Sequence, residues 1–263
     1  GMTLISLHDK ATIETFLRRN AQLHLYELGD LDQFFWPYTN WYALAEGGQI
    51  HELALLYSAF DPPVLLFHAQ NGRGQAMLQA LMPVLPRRVY SHLDALLVDT
   101  LAAAYAVEPH GDYQKMGLVD QARLHAIGGP HAEQLGPDDR AALEALYAAA
   151  YPGNWFSARM LETGCYYGIR DGGAIVSVAG VHVVAPEYGV AALGNVTTHP
   201  AMRGRGLGTA VCAALCRALL AQQIGTIGLN VRASNEPAIA TYRRLGFEYV
   251  ANYSEFMLVA RPL

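Results

Sequence analysis

Arg203-Gly204-Arg205-Gly206-Leu207-Gly208 sets three glycines and two arginines between a strand-like run and a long apolar-striped helix. The first turn of a helix carries backbone N–H groups without intrahelical partners and the positive end of the macrodipole, so a phosphate seated there meets both. Glycines at 204, 206 and 208 remove the Cβ atoms that would hold a pyrophosphate off those amides, and Arg203 and Arg205 add positive charge at the rim. The chemistry expected of this stretch is pyrophosphate anchoring. Two familiar phosphate loops do not fit it: the dinucleotide fingerprint needs a third glycine where Thr209 stands, and the Walker loop needs a G-K-[ST] that the chain lacks.

A second segment, Asn235-Glu236-Pro237-Ala238-Ile239-Ala240-Thr241-Tyr242-Arg243-Arg244-Leu245-Gly246-Phe247, reads as a short helix. Ser234 or Asn235 can cap its start, Pro237 fits the first turn, and Gly246 suits the position just past the end. Asn235, Ala238 and Tyr242 then share one face. Between the two segments, Leu207, Val211, Ala214, Leu215, Ala218 and Leu219 recur at helical spacing, and Thr226 to Arg232 alternates like a strand. The order strand, glycine loop, helix, strand, short helix, strand is an open α/β arrangement with its ligand at the strand ends.

Taken together and in this order, Arg203-x-x-Gly206-x-Gly208 and Asn235-x-x-Ala238-x-x-x-Tyr242-x-x-x-Gly246-Phe247 resemble the acyl-CoA loop and downstream signature of the GNAT superfamily of N-acyltransferases. The resemblance implies an α/β fold with a mixed sheet, acetyl-CoA or another acyl-CoA as co-substrate, no metal, and a primary amine as acceptor. It implies a cofactor site made by Val196, Thr197, Thr198, Arg203, Gly204, Arg205, Gly206, Leu207, Gly208, Thr209, Asn235, Ala238 and Tyr242. A backbone N–H near Val196 or Thr197 would stabilise the tetrahedral oxyanion. Tyr242 would protonate the departing thiolate, and Asn235 would both cap its helix and bind the pantetheine arm.

The general base is not carried over in this way. Family members often place a carboxylate on the central strand, and Val190 to Thr198 contains none. His182 on the neighbouring strand titrates in a useful range, Asn195 can orient a water, and Glu162 lies on the helix before the hairpin; each also has a purely structural reading. His199, ahead of Pro200, reads as a residue that shapes the turn into the loop. Cys165 has no neighbour that would activate a thiolate, which favours direct transfer in a ternary complex over a covalent acyl carrier.

The elements that must hold these residues fill the second half of the chain. A breakpoint at Ile127-Gly128-Gly129-Pro130 divides an amino-terminal α/β domain, 1–127, from a catalytic domain, 128–263. In the latter, Asp138 or Asp139 caps a helix through Leu143, Leu146 and Tyr147, a second helix spans Ser157 to Thr163, and Tyr166–Arg170 and Ala174–Val184 form a hairpin across Asp171-Gly172-Gly173. Trp155, Phe156 and Tyr166-Tyr167 fall where the superfamily lines its acceptor side. In the first half, a hairpin turns at Glu46-Gly47-Gly48, and Asn71-Gly72-Arg73-Gly74 precedes a helix through Met77, Leu78 and Leu81. That echo of the Arg203 loop makes the first domain either a degenerate duplicate of the catalytic fold or an α/β domain of its own.

Composition bounds the rest. The chain has 263 residues, 52% of them hydrophobic, and a formal charge of −5, which supports neither a nucleic-acid footprint nor a polybasic membrane surface. Cys165, Cys212 and Cys216 form no paired framework or zinc spacing, the expectation being a reducing, cytoplasmic setting. Two rival functions stay open: transfer of longer acyl groups to amino acids, as in the glycine-acyltransferase-like branch that the His199-Pro200-x-x-Arg203-Gly204 context resembles, and a non-catalytic acyl-CoA sensor.

Overall fold

The computed structural model describes residues 1–70 and 72–263; Asn71, the first residue of the amino-terminal glycine-containing stretch, lies outside them. The chain forms two compact units. Unit 1 comprises Gly1–Lys115, Arg232–Ser234 and Ala251–Leu263; unit 2 comprises Met116–Val231 and Asn235–Val250.

Unit 1 starts with strand β1 (Thr3–Leu7), helices α1 (Lys10–Leu17) and α2 (Leu25–Gly29), and the hairpin of β2 (Thr39–Glu46) and β3 (Gln49–Tyr57). It continues through β4 (Val64–Leu66), α3 (Gly74–Leu81), β5 (Arg88–Leu93) and α4 (Val98–Ala102) into the long strand β6 (Tyr105–Leu118), whose last three residues belong to unit 2. β1 pairs with β2, β2 with β3 and β3 with β4, all antiparallel, whereas β4 and β5 are parallel and joined through α3. The apolar face of α3, with Met77, Leu78 and Leu81 fully buried, packs in a core with Leu65, Phe67, Val89, Leu93 and Leu258. The spacing of those three residues predicts this face.

Unit 2 holds α5 (Gln121–Ala126), β7 (Glu133–Gln134), α6 (Arg140–Ala150), β8 (Tyr167–Asp171), β9 (Ala174–Ala185), β10 (Val190–Thr198), α7 (Leu207–Ala221), β11 (Thr226–Arg232) except its last residue, α8 (Glu236–Leu245) and the start of β12 (Phe247–Ala260). β7–β8, β8–β9 and β9–β10 are antiparallel, and β10–β11 are parallel and joined through α7. The succession of unit 1 thus recurs: three antiparallel pairings, then a parallel pair bridged by a helix. α7 is apolar on nearly every side, and Val211, Cys212, Ala213, Leu215, Cys216 and Leu219 are all fully buried. Such a helix belongs inside the unit.

The carboxyl-terminal stretch of β12 pairs antiparallel with β5, Ser254 facing Leu93 and Val259 facing Arg88, so unit 1 draws its last strand from the far end of the chain. Two local expectations differ in detail. The second helix expected near Ser157 to Thr163 is a 3₁₀ helix, Ala158–Thr163, ended by Gly164 at φ 70°. Asp139 does not cap α6 with its side chain; its carboxylate turns back to accept from the Gly136 N–H at 2.8 Å and pairs with Arg170.

Candidate active site

The site in unit 2 is built around an interruption in β10. Against β9, Gly194 faces Gly180 and Thr197 faces Val178, so three steps along β10 answer two along β9. The extra residue is a β-bulge, which bends the strand and re-aims its amides. Asn195 sits in it at φ 54°, a left-handed backbone that costs a non-glycine residue about 1 kcal/mol. On the other side, β10 pairs with β11 over Val190–Ala192 opposite Thr226–Gly228, and the register goes no further. Beyond that point the two parallel strands part at their carboxyl ends, the place where open α/β sheets admit ligands. Val196, Thr197 and Thr198 lie half-buried on the parted stretch, and the Thr198 hydroxyl meets that of Ser177 at 2.8 Å.

Four polar side chains hold the bulge. The Tyr147 hydroxyl, on α6, donates to the Asn195 carbonyl at 2.6 Å. The Asn195 amide donates to the Tyr166 hydroxyl at 2.9 Å, and its oxygen faces His182 Nε2 at 3.3 Å. Small residues make room for the rings: a Cβ on Gly180 would lie 2.1 Å from the Tyr166 ring, and one on Gly194 2.2 Å from that of His182. Burial pushes the Tyr166 phenol up to about 12, against the lowering effect of its bond from Asn195. Burial also raises Tyr147. His182 keeps an exposed edge, yet the protein packed around its ring displaces water and holds its pKa below the ordinary histidine value, with the Asn195 contact pulling the other way. The imidazole is therefore neutral near pH 7 and able to accept a proton.

The glycine loop follows directly. Pro200–Met202 form a 3₁₀ turn whose first N–H, that of Ala201, is accepted by His199 Nδ1 at 3.1 Å, so His199 is committed to the turn. Arg203 Nε donates to the Thr198 carbonyl at 3.3 Å and ties the loop to the end of β10. Gly206 precedes α7 at φ 76°, with open space where a Cβ would stand, and the first intrahelical bond runs from Ala210 N–H to its carbonyl at 3.1 Å. The N–H groups of Leu207, Gly208 and Thr209 come before that bond and point out of the helix start. Arg203, Gly204 and Arg205 are exposed around it. The donors, their dipole and the two cations fit a pyrophosphate, and the parted strands fit an extended amide-bearing arm.

α8 supplies the remaining candidates. Asn235 caps it, its oxygen accepting from Ala238 N–H at 3.3 Å, and Gly246 closes it at φ 105°. Ala238 and Tyr242 are half-buried against the unit 2 core, and the Tyr242 ring meets Phe247 edge-on at 5.9 Å. The structure thus groups His182 with Asn195, and Val196–Thr198 with the loop, whereas Asn235, Ala238 and Tyr242 enter from a separate element. Glu162 is exposed on its 3₁₀ turn. Cys165 is buried, which raises its thiol pKa, and a raised thiol is a poor nucleophile. The hydroxyl of Tyr147 escapes a sequence reading that uses the residue only as an apolar position of α6, and Tyr166, expected on the acceptor side, accepts from Asn195; the available signal is that a buried tyrosine finds a partner for its O–H. Among the described residues, no group of three or more His, Cys, Asp or Glu could hold a metal ion, and no helix is long and apolar enough to cross a membrane.

Residues 133–247, which contain the bulge, the loop and α8, match the acetyltransferase (GNAT) family. A mycothiol acetyltransferase of Clavibacter michiganensis is 29% identical over 209 residues, 69% of this chain and 66% of that protein. The N-alpha-acetyltransferase RimI of Mycobacterium tuberculosis is 38% identical over 90 residues, 32% of this chain and 52% of that protein. Two further curated relatives are matched over 23% and 14% of their lengths, so the chain spans less than two thirds of each of these four relatives. Among solved structures, a tandem GNAT protein from the clavulanic acid biosynthesis pathway shares the fold with a TM-score of 0.58 at 16% identity, over the whole of both chains. The named sequence relatives are of the mycothiol and RimI type and not specifically of the glycine-acyltransferase branch that the His199–Gly204 context resembles.

Proposed function

We propose that the chain is an N-acetyltransferase that moves an acetyl group from acetyl-CoA to a primary amine of a small molecule by direct attack in a ternary complex. The observation that carries this reading is the bulge at Asn195, which interrupts β10 just ahead of the glycine loop, where a bulge re-aims strand amides. The amides of Leu207, Gly208 and Thr209, with Arg203 and Arg205, hold the pyrophosphate; Asn235 and Ala238 flank the pantetheine arm. The N–H of Val196 or Thr197 stabilises the oxyanion that forms as the amine adds to the thioester carbon. His182, neutral and steadied by Asn195, takes the proton of the attacking amine directly or through one water. When the carbon–sulfur bond breaks, Tyr242 donates its phenolic proton to the thiolate through a short hydrogen bond.

Unit 1 reads as a degenerate copy of unit 2. Its support is the repeated strand order with one parallel pair, each bridged by a helix that follows a glycine-containing stretch, and the tandem architecture of a structural relative. The buried, unpaired cysteines 165, 212 and 216 accord with a cytoplasmic enzyme. The decisive experiment is Tyr242→Phe. The variant is expected to bind acetyl-CoA as the parent does and to lose about 10²-fold or more in kcat. Unchanged turnover would remove Tyr242 from the chemistry, and failure of the parent to acetylate any of a broad panel of amines while binding acetyl-CoA would favour the sensor.

A further inference from the structure

The two loops that precede the bridging helices are not equivalent. In unit 1 the stretch before α3 is occupied from within: Glu52, on β3 and fully buried, accepts the backbone N–H of Gln70 at 2.9 Å and that of Arg73 at 3.1 Å. Arg73 is the residue immediately before α3, so its N–H belongs to the donors that an anion at a helix start would meet. Side chains also crowd the helix start: a Cβ on Gly74 would stand 2.6 Å from Leu97 Cδ1 and 3.1 Å from the Ala69 side chain. Unit 2 is the opposite case. There the space beside Gly204 and Gly206 is open, and β9, the strand in the place of β3, contains no acidic residue to fill it.

We infer that Glu52 is an internal substitute for the phosphate ligand, and that each chain therefore binds a single acyl-CoA, in unit 2. This rests on the acyl-CoA reading of the unit 2 loop and on unit 1 being its degenerate copy. A carboxyl group is acceptor-only when ionised and matches two neighbouring amides as a phosphate oxygen pair does. Because it is tethered, it holds the site without the translational cost that a diffusing phosphate meets.

The test is the binding stoichiometry of the full chain, by calorimetry with acetyl-CoA and with inorganic pyrophosphate. The parent should bind one acetyl-CoA. Gly206→Val, which forces a branched residue into a left-handed backbone at the unit 2 loop, should lower affinity at least 100-fold and leave no second class of site. In that same background, Glu52→Ala should gain pyrophosphate binding, seen as a rise of the thermal midpoint with added pyrophosphate. Glu52→Gln, which keeps an acceptor oxygen and the side chain's shape, should not. Two equivalents of acetyl-CoA on the parent, or pyrophosphate binding by Gly206→Val with Glu52 intact, overturns the inference and leaves the reading of the unit 2 loop standing. A parent that binds no acetyl-CoA overturns that reading and, with it, the one-site inference.

Discussion

Asn195 is the residue on which the site turns. A left-handed backbone inside a strand is a local loss, and it persists because three partners, Tyr147, Tyr166 and His182, each fix a different atom of the same residue. The residue type fits the position: asparagine tolerates this backbone better than most side chains, and its amide both donates and accepts. The two contributions are separable by substitution. Asn195→Ala keeps a Cβ in the strained backbone and removes both side-chain bonds, for a loss of about 2–4 kcal/mol. Asn195→Gly removes the same bonds but relieves the backbone, so it should be about 1 kcal/mol less damaging. Urea denaturation orders the three proteins. Both variants should lose activity together, since each frees the Tyr166 and His182 side chains; alanine and glycine variants of equal stability would mean that the backbone conformation carries no cost here.

At the scale of elements, the sequence makes clear whatever rests on local chemistry. Thr226–Arg232 is legible as a strand from its apolar alternation, Val190–Thr198 as the strand-like run that leads into the glycine loop, α7 from its stripe, and the ends of α8 from Asn235 and Gly246. The bulge is not, because nothing in Gly194-Asn195-Val196 marks an inserted residue until β9 supplies the count. Nor is the pairing of β12 with β5, which joins residues far apart in the chain, or the 3₁₀ form of Ala158–Thr163, a stretch too short for periodicity to separate the two helix types. Gly246 shows how one glycine serves two elements. It ends α8 in the left-handed region, and its carbonyl accepts the N–H groups of Val119 and Asp120, both at 3.0 Å, at the start of α5. A Cβ there would lie 2.2 Å from the Asp120 carbonyl oxygen, a backbone atom that cannot rotate away. Gly246→Ala should therefore cost about 3 kcal/mol or more, read as a drop in the urea midpoint, whereas Gly204→Ala, strained in the same way but with open space around it, should cost about 1 kcal/mol.

At the scale of the whole molecule, each compact unit depends on residues from distant parts of the chain. Unit 2 begins at Met116, and α5 is built into it: Leu124 is fully buried, and the Arg217 guanidinium on α7 donates to the carbonyls of Leu124 at 2.9 Å and Ile127 at 2.6 Å. Unit 1 in turn ends with residues 251–263, whose strand pairs with β5. A fragment of residues 128–263, cut at the glycine-proline breakpoint, would keep every residue of the proposed active site. It would lose the whole of α5, leave Arg217 facing no carbonyl acceptors, and expose the β12 residues Ser254–Val259 as an unpaired edge. An edge of this kind, with Phe256 and Leu258 on it, is an aggregation hazard. The expected outcome is that 128–263 expresses without a cooperative thermal transition and aggregates, while co-expression with residues 1–127 restores a soluble complex with a single transition. Scanning calorimetry and size-exclusion chromatography decide it: a cooperatively folded, monomeric 128–263 fragment would mean that unit 2 is complete without α5 and that β12 needs no partner from unit 1.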